Sequence, residues 1–489
     1  MFEKIKYTEE VSKEEFQLTL NNIIKDLVTL QYKFKAYKGP LIIIVAGFYG
    51  AGIEELINFI SQYIDMRIVK VKTFWKRTYN KEKPQFYKYW EALPEKGKTS
   101  IFINGWYKEP IKNYTNNKIT SIEYENQLLD IERFERMLVE DGAIILKFWL
   151  YLDKKEIKNT LKHFKTNFRN FIKSVIKPIK WNYKKYESFR LSAEKALIAT
   201  DTAFARWNII NAKSRRYLNL NVLRTIHETF RLFQQQQNIL YKEELPKYVN
   251  NITPILKHID QMKSLEKDLY EKALKEYQTK IFEITWEAYI KKKSTLVVFE
   301  GWDAAGKGGC IRRLTNAIDT RIYNIHQTSA PSDYEKRYHY LWRFWKKMPS
   351  KGFCSVFDRS WYGRVLVERV ENLAIYSEWA RAYEEINSFE QQLIHDGIVI
   401  LKFWLHITKD EQLRRFEERE KLAWKQYKIT EEDWRNREKW NEYESCADEM
   451  FTRTSTSYSP WIIVPSNNKY YSRIEVMKNF YNTIRYNLK

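Results

Sequence analysis

The stretch Thr295-Leu296-Val297-Val298-Phe299-Glu300-Gly301-Trp302-Asp303-Ala304-Ala305-Gly306-Lys307-Gly308-Gly309 decides the reading of this chain. Thr295 to Phe299 is a short apolar run of the kind that forms a buried strand, and a helical pattern resumes after the glycines. A glycine-rich turn in that context cradles phosphate. Its backbone N–H groups converge on one anion, the following helix presents its positive end, and Lys307 adds a mobile charge. A turn that only caps a helix would need neither the strand before it nor the lysine inside it. The usual loop follows its lysine with Ser or Thr, whose hydroxyl holds magnesium, whereas Gly308 stands here. Asp303, inside the loop, offers a hard carboxylate oxygen in its place.

A second carboxylate is then expected, and Cys354-Ser355-Val356-Phe357-Asp358 supplies it at the end of a short apolar strand, where a Walker B acid sits. Asp303 and Asp358 read as a magnesium pair. Arg359 and Arg364 flank Trp361-Tyr362-Gly363 and are clamp candidates for phosphate oxygens, the alternative being that one of them pairs with Asp358 or Glu368 and braces the strand end. Further on, Glu411 to Lys421 and Glu431 to Tyr443 read as a helical hairpin over the loop, a water-excluding lid spanning about 411–445. Arg415, Arg419, Lys425 and Lys428 on it could face phosphates or simply be solvated.

At 489 residues, 44% hydrophobic and 16% aromatic, the chain has enough apolar surface for two or three real cores. Cys310, Cys354 and Cys446 form no C-x-x-C pair and seven histidines are scattered, so neither a disulfide framework nor a zinc site is expected. His326, His339, His395 and His406 read as structural. The longest apolar runs, such as Leu41 to Ala46, are strand-sized, and Met1 to Glu10 is charged, so a soluble cytoplasmic protein with no membrane partner is expected. A net charge of +22 calls for an anionic partner, although lysine-rich solvated helices account for part of it. Trp342, Phe344 and Trp345, set among Arg343, Lys346 and Lys347, could stack nucleic-acid bases, but their helical spacing recurs as Tyr87, Tyr89 and Trp90 and reads as core.

That recurrence is general, because the chain is written twice. Glu135 to Leu150 reappears as Glu390 to Leu405, both with Leu-Lys-Phe-Trp-Leu; Asp141 and Asp396 lie 255 residues apart, and Gly47 and Gly301 lie 254 apart. In the first copy the loop is Gly47-Phe48-Tyr49-Gly50-Ala51-Gly52-Ile53. Tyr49 stands for Asp303, Ile53 for Lys307, Ile103 for Asp358 and Asn104 for Arg359. A loop without lysine or carboxylates cannot hold magnesium or neutralise a transferring phosphate, so this copy reads as a degenerate scaffold. Each copy alternates strands with helices, as βαβ units of a doubly wound parallel sheet do. The expected domains are 1–240, a 241–263 linker and a catalytic 264–489.

The loop 301–309, the run Asp358-Arg359-Ser360-Trp361-Tyr362, the Trp461 strand with Asn468-Lys469, and Trp424 to Thr430 before Trp434 resemble the polyphosphate kinase 2 family. The tandem arrangement is similar to its fused two-domain class. That resemblance implies an α/β fold of two tandem P-loop kinase-like domains in three α/β/α layers, Mg2+ as cofactor, and inorganic polyphosphate and an adenine nucleotide, AMP or ADP, as partners. It also implies that Asp303, Lys307, Asp358 and Arg359 match the metal- and phosphate-handling positions. Around them, Gly301, Ala304, Ala305, Gly306, Gly308, Gly309, Arg364 and Glu368 form the candidate phosphate- and nucleotide-binding set. The expected reaction takes phosphate from polyphosphate to AMP. An ATP-dependent nucleoside monophosphate kinase, a polyphosphate-dependent nucleoside diphosphate kinase, a nucleic-acid-binding ATPase and a non-catalytic scaffold remain alternatives, and a homo-oligomer is allowed.

Overall fold

The structure, a computed structural model, describes residues 2, 10–74, 82–167, 173–235, 252–421 and 431–489. Two compact units emerge: Met1–Tyr79 with Lys88–Glu243 and Lys336–His339, and Asn80–Tyr87 with Glu244–Glu335 and Tyr340–Lys489.

In the first unit the strands are β1 (Leu41–Gly47), β2 (Val69–Thr73), β3 (Thr99–Ile103), β4 (Ile144–Tyr151) and β5 (Trp207–Asn211), all parallel, in the order β2-β3-β1-β4-β5. The second unit repeats this with β6 (Thr295–Gly301), β7 (Tyr323–Gln327), β8 (Cys354–Asp358), β9 (Val399–His406) and β10 (Trp461–Pro465), ordered β7-β8-β6-β9-β10. β1 is buried at all seven positions, and β6 at all but Gly301, because each lies between two strands with helices packed on the sheet; hence their unbroken apolar runs. The strand order reverses beside β6, whose neighbours are β8 on one side and β9 on the other. The crevice outside the carboxyl ends of those three strands is where such sheets bind ligands.

Each core keeps one ion pair. In the second unit Lys402 Nζ donates to Glu390 Oε2 (2.8 Å), Tyr362 Oη (2.9 Å) and the Thr454 carbonyl (2.8 Å), while Glu390 Oε1 accepts from Trp361 Nε1 and Tyr362 Oη. In the first unit Lys147 donates to Glu135 Oε2 (2.7 Å), Tyr107 Oη (3.3 Å) and the Thr200 carbonyl (2.6 Å), and Glu135 accepts from Trp106 and Tyr107. The duplication thus extends to hydrogen-bond geometry. Trp342, Phe344 and Trp345 are buried, as expected of core aromatics, and all three cysteines are free and buried.

Several boundaries differ from the sequence reading. From the sequence, helices are expected ahead of the two loop strands at Ser12–Lys38 and Ser264–Lys292; they run Lys13–Lys33 and Lys267–Ile290. The second lid helix, expected as Glu431 to Tyr443, breaks at Lys439, whose φ of −86° and ψ of 23° are non-helical. Glu431–Glu438 is one helix and Trp440–Thr454 the next. Residues 241–251 of the 241–263 linker and Trp424 to Thr430, with Lys425 and Lys428, lie outside the described residues.

Candidate active site

The loop leaves β6 at Gly301, whose φ of +134° and close approach to Leu405 leave no room for a side chain: a Cβ there would stand 2.4 Å from the Leu405 carbonyl oxygen. Gly306, in the left-handed region at φ 108°, starts the helix Lys307–Thr315, so the first N–H groups of that helix open onto the loop. A Cβ on Gly308 would meet nothing within 4 Å. The backbone there faces open space, as an anion cradle requires.

Ala304 and Arg359 both adopt positive φ, 60° each, a conformation that costs a non-glycine residue about 1–3 kcal/mol. Their neighbours hold them there. Gln412 Nε2 donates to the Asp303 carbonyl (3.0 Å) and Arg415 NH1 to the Ala304 carbonyl (2.8 Å). The Arg359 carbonyl accepts from Thr328 Oγ1 at 2.8 Å. Trp302 stacks on Trp440 with ring centroids 3.6 Å apart and 8° between planes, and its Nε1 donates to His406 Nδ1 at 2.9 Å. His406 is therefore a support for the loop, and burial pushes its imidazole down to about 4, which keeps Nδ1 an acceptor.

Within this frame the predicted charges meet. Lys307 Nζ donates to the carbonyls of Gly301 (2.6 Å) and Trp302 (3.0 Å). Burial depresses its pKa, while the negative charges of Asp303, Asp358 and Glu300 pull the other way. Asp303 accepts from Arg359 NH2 on Oδ1 and from Asn436 Nδ2 on Oδ2, both at 2.9 Å. Burial works against the Asp303 carboxylate, but Lys307, Arg359 and the Asn436 bond outweigh it and hold its pKa below the usual aspartate value. Asp358 ends β8 next to β6, opposite Phe299 in the register.

Some candidates stand elsewhere than expected. Arg364 pairs with Glu368 (3.2 Å) and Glu378 (3.6 Å) and lies over the Tyr340 ring, the bracing alternative rather than an open clamp. Arg359 pairs with Asp303 and not Asp358. Arg415 does not sit on an exposed lid face. It is 2% exposed, and its donors reach Ala304, Ser466 and Asn467 carbonyls and Glu411, so it braces the loop against the end of β10 instead of offering a free charge to a polyanion. Arg419 is half-exposed one turn further on.

Residues that motif reading passed over complete the site. Asn436, from the lid, reaches Asp303, and Tyr443 Oη donates to Asn436 Oδ1 at 3.1 Å. Arg473 stands beside Gly309, its NH2 3.6 Å from where a Cβ would be. The signal for Arg473 was present: it lies four residues after Lys469 on the helix Lys469–Leu488, one turn along the same face.

The first unit carries other residues at the matching positions in three dimensions as in sequence. Tyr49 is half-buried with its phenol pushed up to about 12 by desolvation, and its N–H donates to Asn182, which corresponds to Asn436. Arg215 NH1 donates to the Ala51 carbonyl at 2.5 Å and lies 1.8 Å from where a Cβ on Gly52 would be, whereas at the matching Gly306 Arg415 NH1 stands 4.0 Å away. Asn104 keeps the left-handed turn of Arg359, at φ 59°, without its charge.

Comparison with known proteins agrees with this geometry. The chain is 36% identical to the polyphosphate:AMP phosphotransferase of Pseudomonas aeruginosa over 99% of this chain and 98% of that one. It is 33% identical to the protein of the same name from Acinetobacter johnsonii, over 95% of each. A solved polyphosphate kinase 2 structure from Pseudomonas aeruginosa PA01 aligns over 100% of this chain and 99% of that one with a TM-score of 0.88 at 34% identity. The sequence pattern of the Polyphosphate kinase 2 (PPK2) family matches residues 10–238 and again 264–489. With both halves matched and the loop, acids and arginine gathered in the second, this chain belongs to the polyphosphate kinase 2 family.

Proposed function

We propose that this chain transfers a phosphoryl group from inorganic polyphosphate to AMP, giving ADP and a polyphosphate one unit shorter. The observation that carries the reading is the convergence of Asp303, Lys307 and Arg359 at a glycine-lined anion cradle, with Asp358 on the adjoining strand, in a chain that matches named polyphosphate:AMP phosphotransferases over nearly its whole length. Residues 264–489 form the catalytic domain, with its lid at about 411–445, and 1–240 the scaffold, joined by 241–263.

The donor set suits magnesium. Among the described residues no group of three or more His, Cys, Asp or Glu could hold a metal, and magnesium is commonly held by one or two carboxylates plus substrate phosphates and water. Asp303 and Asp358 are those two carboxylates. When bound there, the ion would neutralise negative charge that develops on the phosphate oxygens.

An AMP phosphate oxygen attacks the terminal phosphorus of polyphosphate in line. The bond to the bridging oxygen breaks, and the electron pair leaves with the shortened chain. Lys307, released from the Gly301 and Trp302 carbonyls, and Arg359 neutralise the equatorial oxygens, and the N–H groups of the loop hold the anion without reorganising. Trp302 on Trp440 couples the loop to the lid, which excludes water. The basic surface of a chain with charge +22 concentrates the polyanion. The cytoplasm, where nucleotides are phosphorylated, is the proposed location; among the described residues no helix is long and apolar enough to cross a membrane.

Purified chain incubated with magnesium, long-chain polyphosphate and AMP, ADP or GDP in turn, with products resolved by chromatography, tests this. ADP from AMP only when polyphosphate is present is expected. Phosphorylation of AMP by ATP with no response to polyphosphate would assign the chain to the monophosphate kinases. Preferred use of ADP or GDP would place it with the diphosphate-phosphorylating relatives, such as the ADP-polyphosphate phosphotransferase 3 of Rhizobium meliloti, which matches only 44% of this chain.

A further inference from the structure

Glu300 and Ser360 form a buried polar pair that the reaction described above does not use. Glu300 lies in β6 directly before Gly301 and is 5% exposed; Ser360 follows Arg359 and is 2% exposed. Ser360 Oγ donates to Glu300 Oε1 at 2.8 Å and accepts from the Tyr362 N–H at 3.3 Å. The end of the loop strand is thereby tied to the turn after β8, the turn that carries Asp358 and Arg359 on a left-handed backbone.

The internal copy separates a structural role from a functional one. β1 pairs Ala46 with Trp149 as β6 pairs Glu300 with Trp404, which puts Ala46 at the Glu300 position. Trp106 and Tyr107 reach Glu135 as Trp361 and Tyr362 reach Glu390, which puts Gly105 at the Ser360 position. The pair has vanished from the first unit along with Asp303, Lys307, Asp358 and Arg359. The Lys402–Glu390 pair, equally buried, survives there as Lys147–Glu135. A fold requirement would have kept both. Burying a carboxylate is costly unless something needs it, and desolvation pushes the Glu300 carboxyl up despite Ser360, Lys307 and Arg359. Where the chemistry is gone, alanine has replaced it.

We propose that Glu300 and Ser360 are positioning residues for phosphoryl transfer: their hydrogen bond sets the turn after β8 so that Asp358 and Arg359 face Asp303 and Lys307. The inference rests on the polyphosphate-dependent reading of this site. Glu300 touches no transferring atom. It acts through the turn, so its loss should lower turnover and metal affinity with little effect on AMP capture.

The test uses the full-length chain and four variants: Glu300→Ala, Glu300→Gln, Ser360→Ala and the Ala/Ala double. Wild type is assayed first, and absence of polyphosphate-dependent ADP formation there would sink the functional reading itself. With an active wild type, kcat should fall at least about tenfold in Glu300→Ala and in Ser360→Ala, with KM for AMP within about threefold. The double variant should be no worse than the poorer single, since both remove one bond. Glu300→Gln, which keeps an oxygen for Ser360, should recover most of kcat. Mn2+ binding, read by electron paramagnetic resonance without turnover, should weaken in both alanine variants. The proposal is overturned by kcat within about twofold of wild type in folded Ser360→Ala, by losses that multiply in the double variant, by unchanged Mn2+ binding, or by Glu300→Gln as impaired as Glu300→Ala.

Discussion

Replacing Lys307 by alanine should separate activity from stability. Its Nζ sits over the Gly301 and Trp302 carbonyls at 2.6 and 3.0 Å, within reach of a phosphate in the loop, and Arg359 is the other cation beside Asp303. Removing one preorganised charge from such a site costs about 10²–10³ in kcat, or about 2.7–4 kcal/mol of transition-state stabilisation. Stability has opposing terms. Two hydrogen bonds disappear, at about 1 kcal/mol each, but a half-buried ammonium disappears with them. Because burial places the folded-state pKa of Lys307 below its ordinary 10.5, its charge destabilises the fold at neutral pH, and that cost is relieved only as pH rises through the folded value. Asp303 retains Arg359 and Asn436. The thermal midpoint of Lys307→Ala should therefore stay within about 4 °C of wild type, since about 1 kcal/mol moves a domain of this size by about 2–4 °C. Single-turnover formation of ADP from polyphosphate and AMP, alongside thermal unfolding of the same preparations, measures both. Turnover within about tenfold of wild type would refute the assignment and point to the first unit as catalytic.

Three further outcomes are expected. Ile53→Ala, at the position matching Lys307 and 7% exposed, should cost about 2–5 kcal/mol of first-unit stability with kcat unchanged; a kcat loss in the folded variant would give that unit a part in the chemistry. Lys402→Met leaves Glu390 charged and unpaired in a core where both side chains are fully buried, so urea unfolding should show a loss of about 3–5 kcal/mol, and Lys147→Met the same in the first unit; a loss below about 1 kcal/mol would mean the pair is not the anchor its geometry suggests. Asp319, held by Arg321, has its carboxyl lowered from 3.8 to about 2, so the stability it adds is complete above 3.8 and lost as pH falls through 2; the difference in unfolding midpoint between wild type and Asp319→Asn should shrink over that window, and a difference undiminished at pH 2 would contradict the linkage.

What could be read from the sequence depended on how local the physics is. β1 and β6 were legible because a strand paired on both sides and covered on both faces shows as a nearly unbroken apolar run, and the loop because its glycines, lysine and aspartate sit at fixed offsets from β6. The break at Lys439 was not legible: it places Trp440 flat against Trp302, a contact across 138 positions that no helix propensity encodes. Arg415 misled for a related reason, since an arginine on a charged helix reads as solvated until the carbonyls of Ala304, Ser466 and Asn467 arrive from elsewhere in the chain. Asn436 carries no charge and no motif, and only the lid's approach to Asp303 reveals it.

The duplication supplies information that neither motif nor geometry holds alone. By the usual signs of a functional group, burial and a displaced pKa, Lys402 is as good a candidate as Lys307, for desolvation depresses both. The first unit distinguishes them. Lys147 preserves Lys402 with every partner of the network, so that pair belongs to the sheet and its helices, whereas Ile53 stands at the position of Lys307. The same comparison assigns Tyr362 and Glu390 to the fold and, on the proposal above, sets Glu300 and Ser360 beside Asp303 and Asp358. A copy that kept its architecture while losing the loop lysine and both carboxylates is an internal control: on the proposed reading, a charge buried in only one of the two matching cores is there for what that core does.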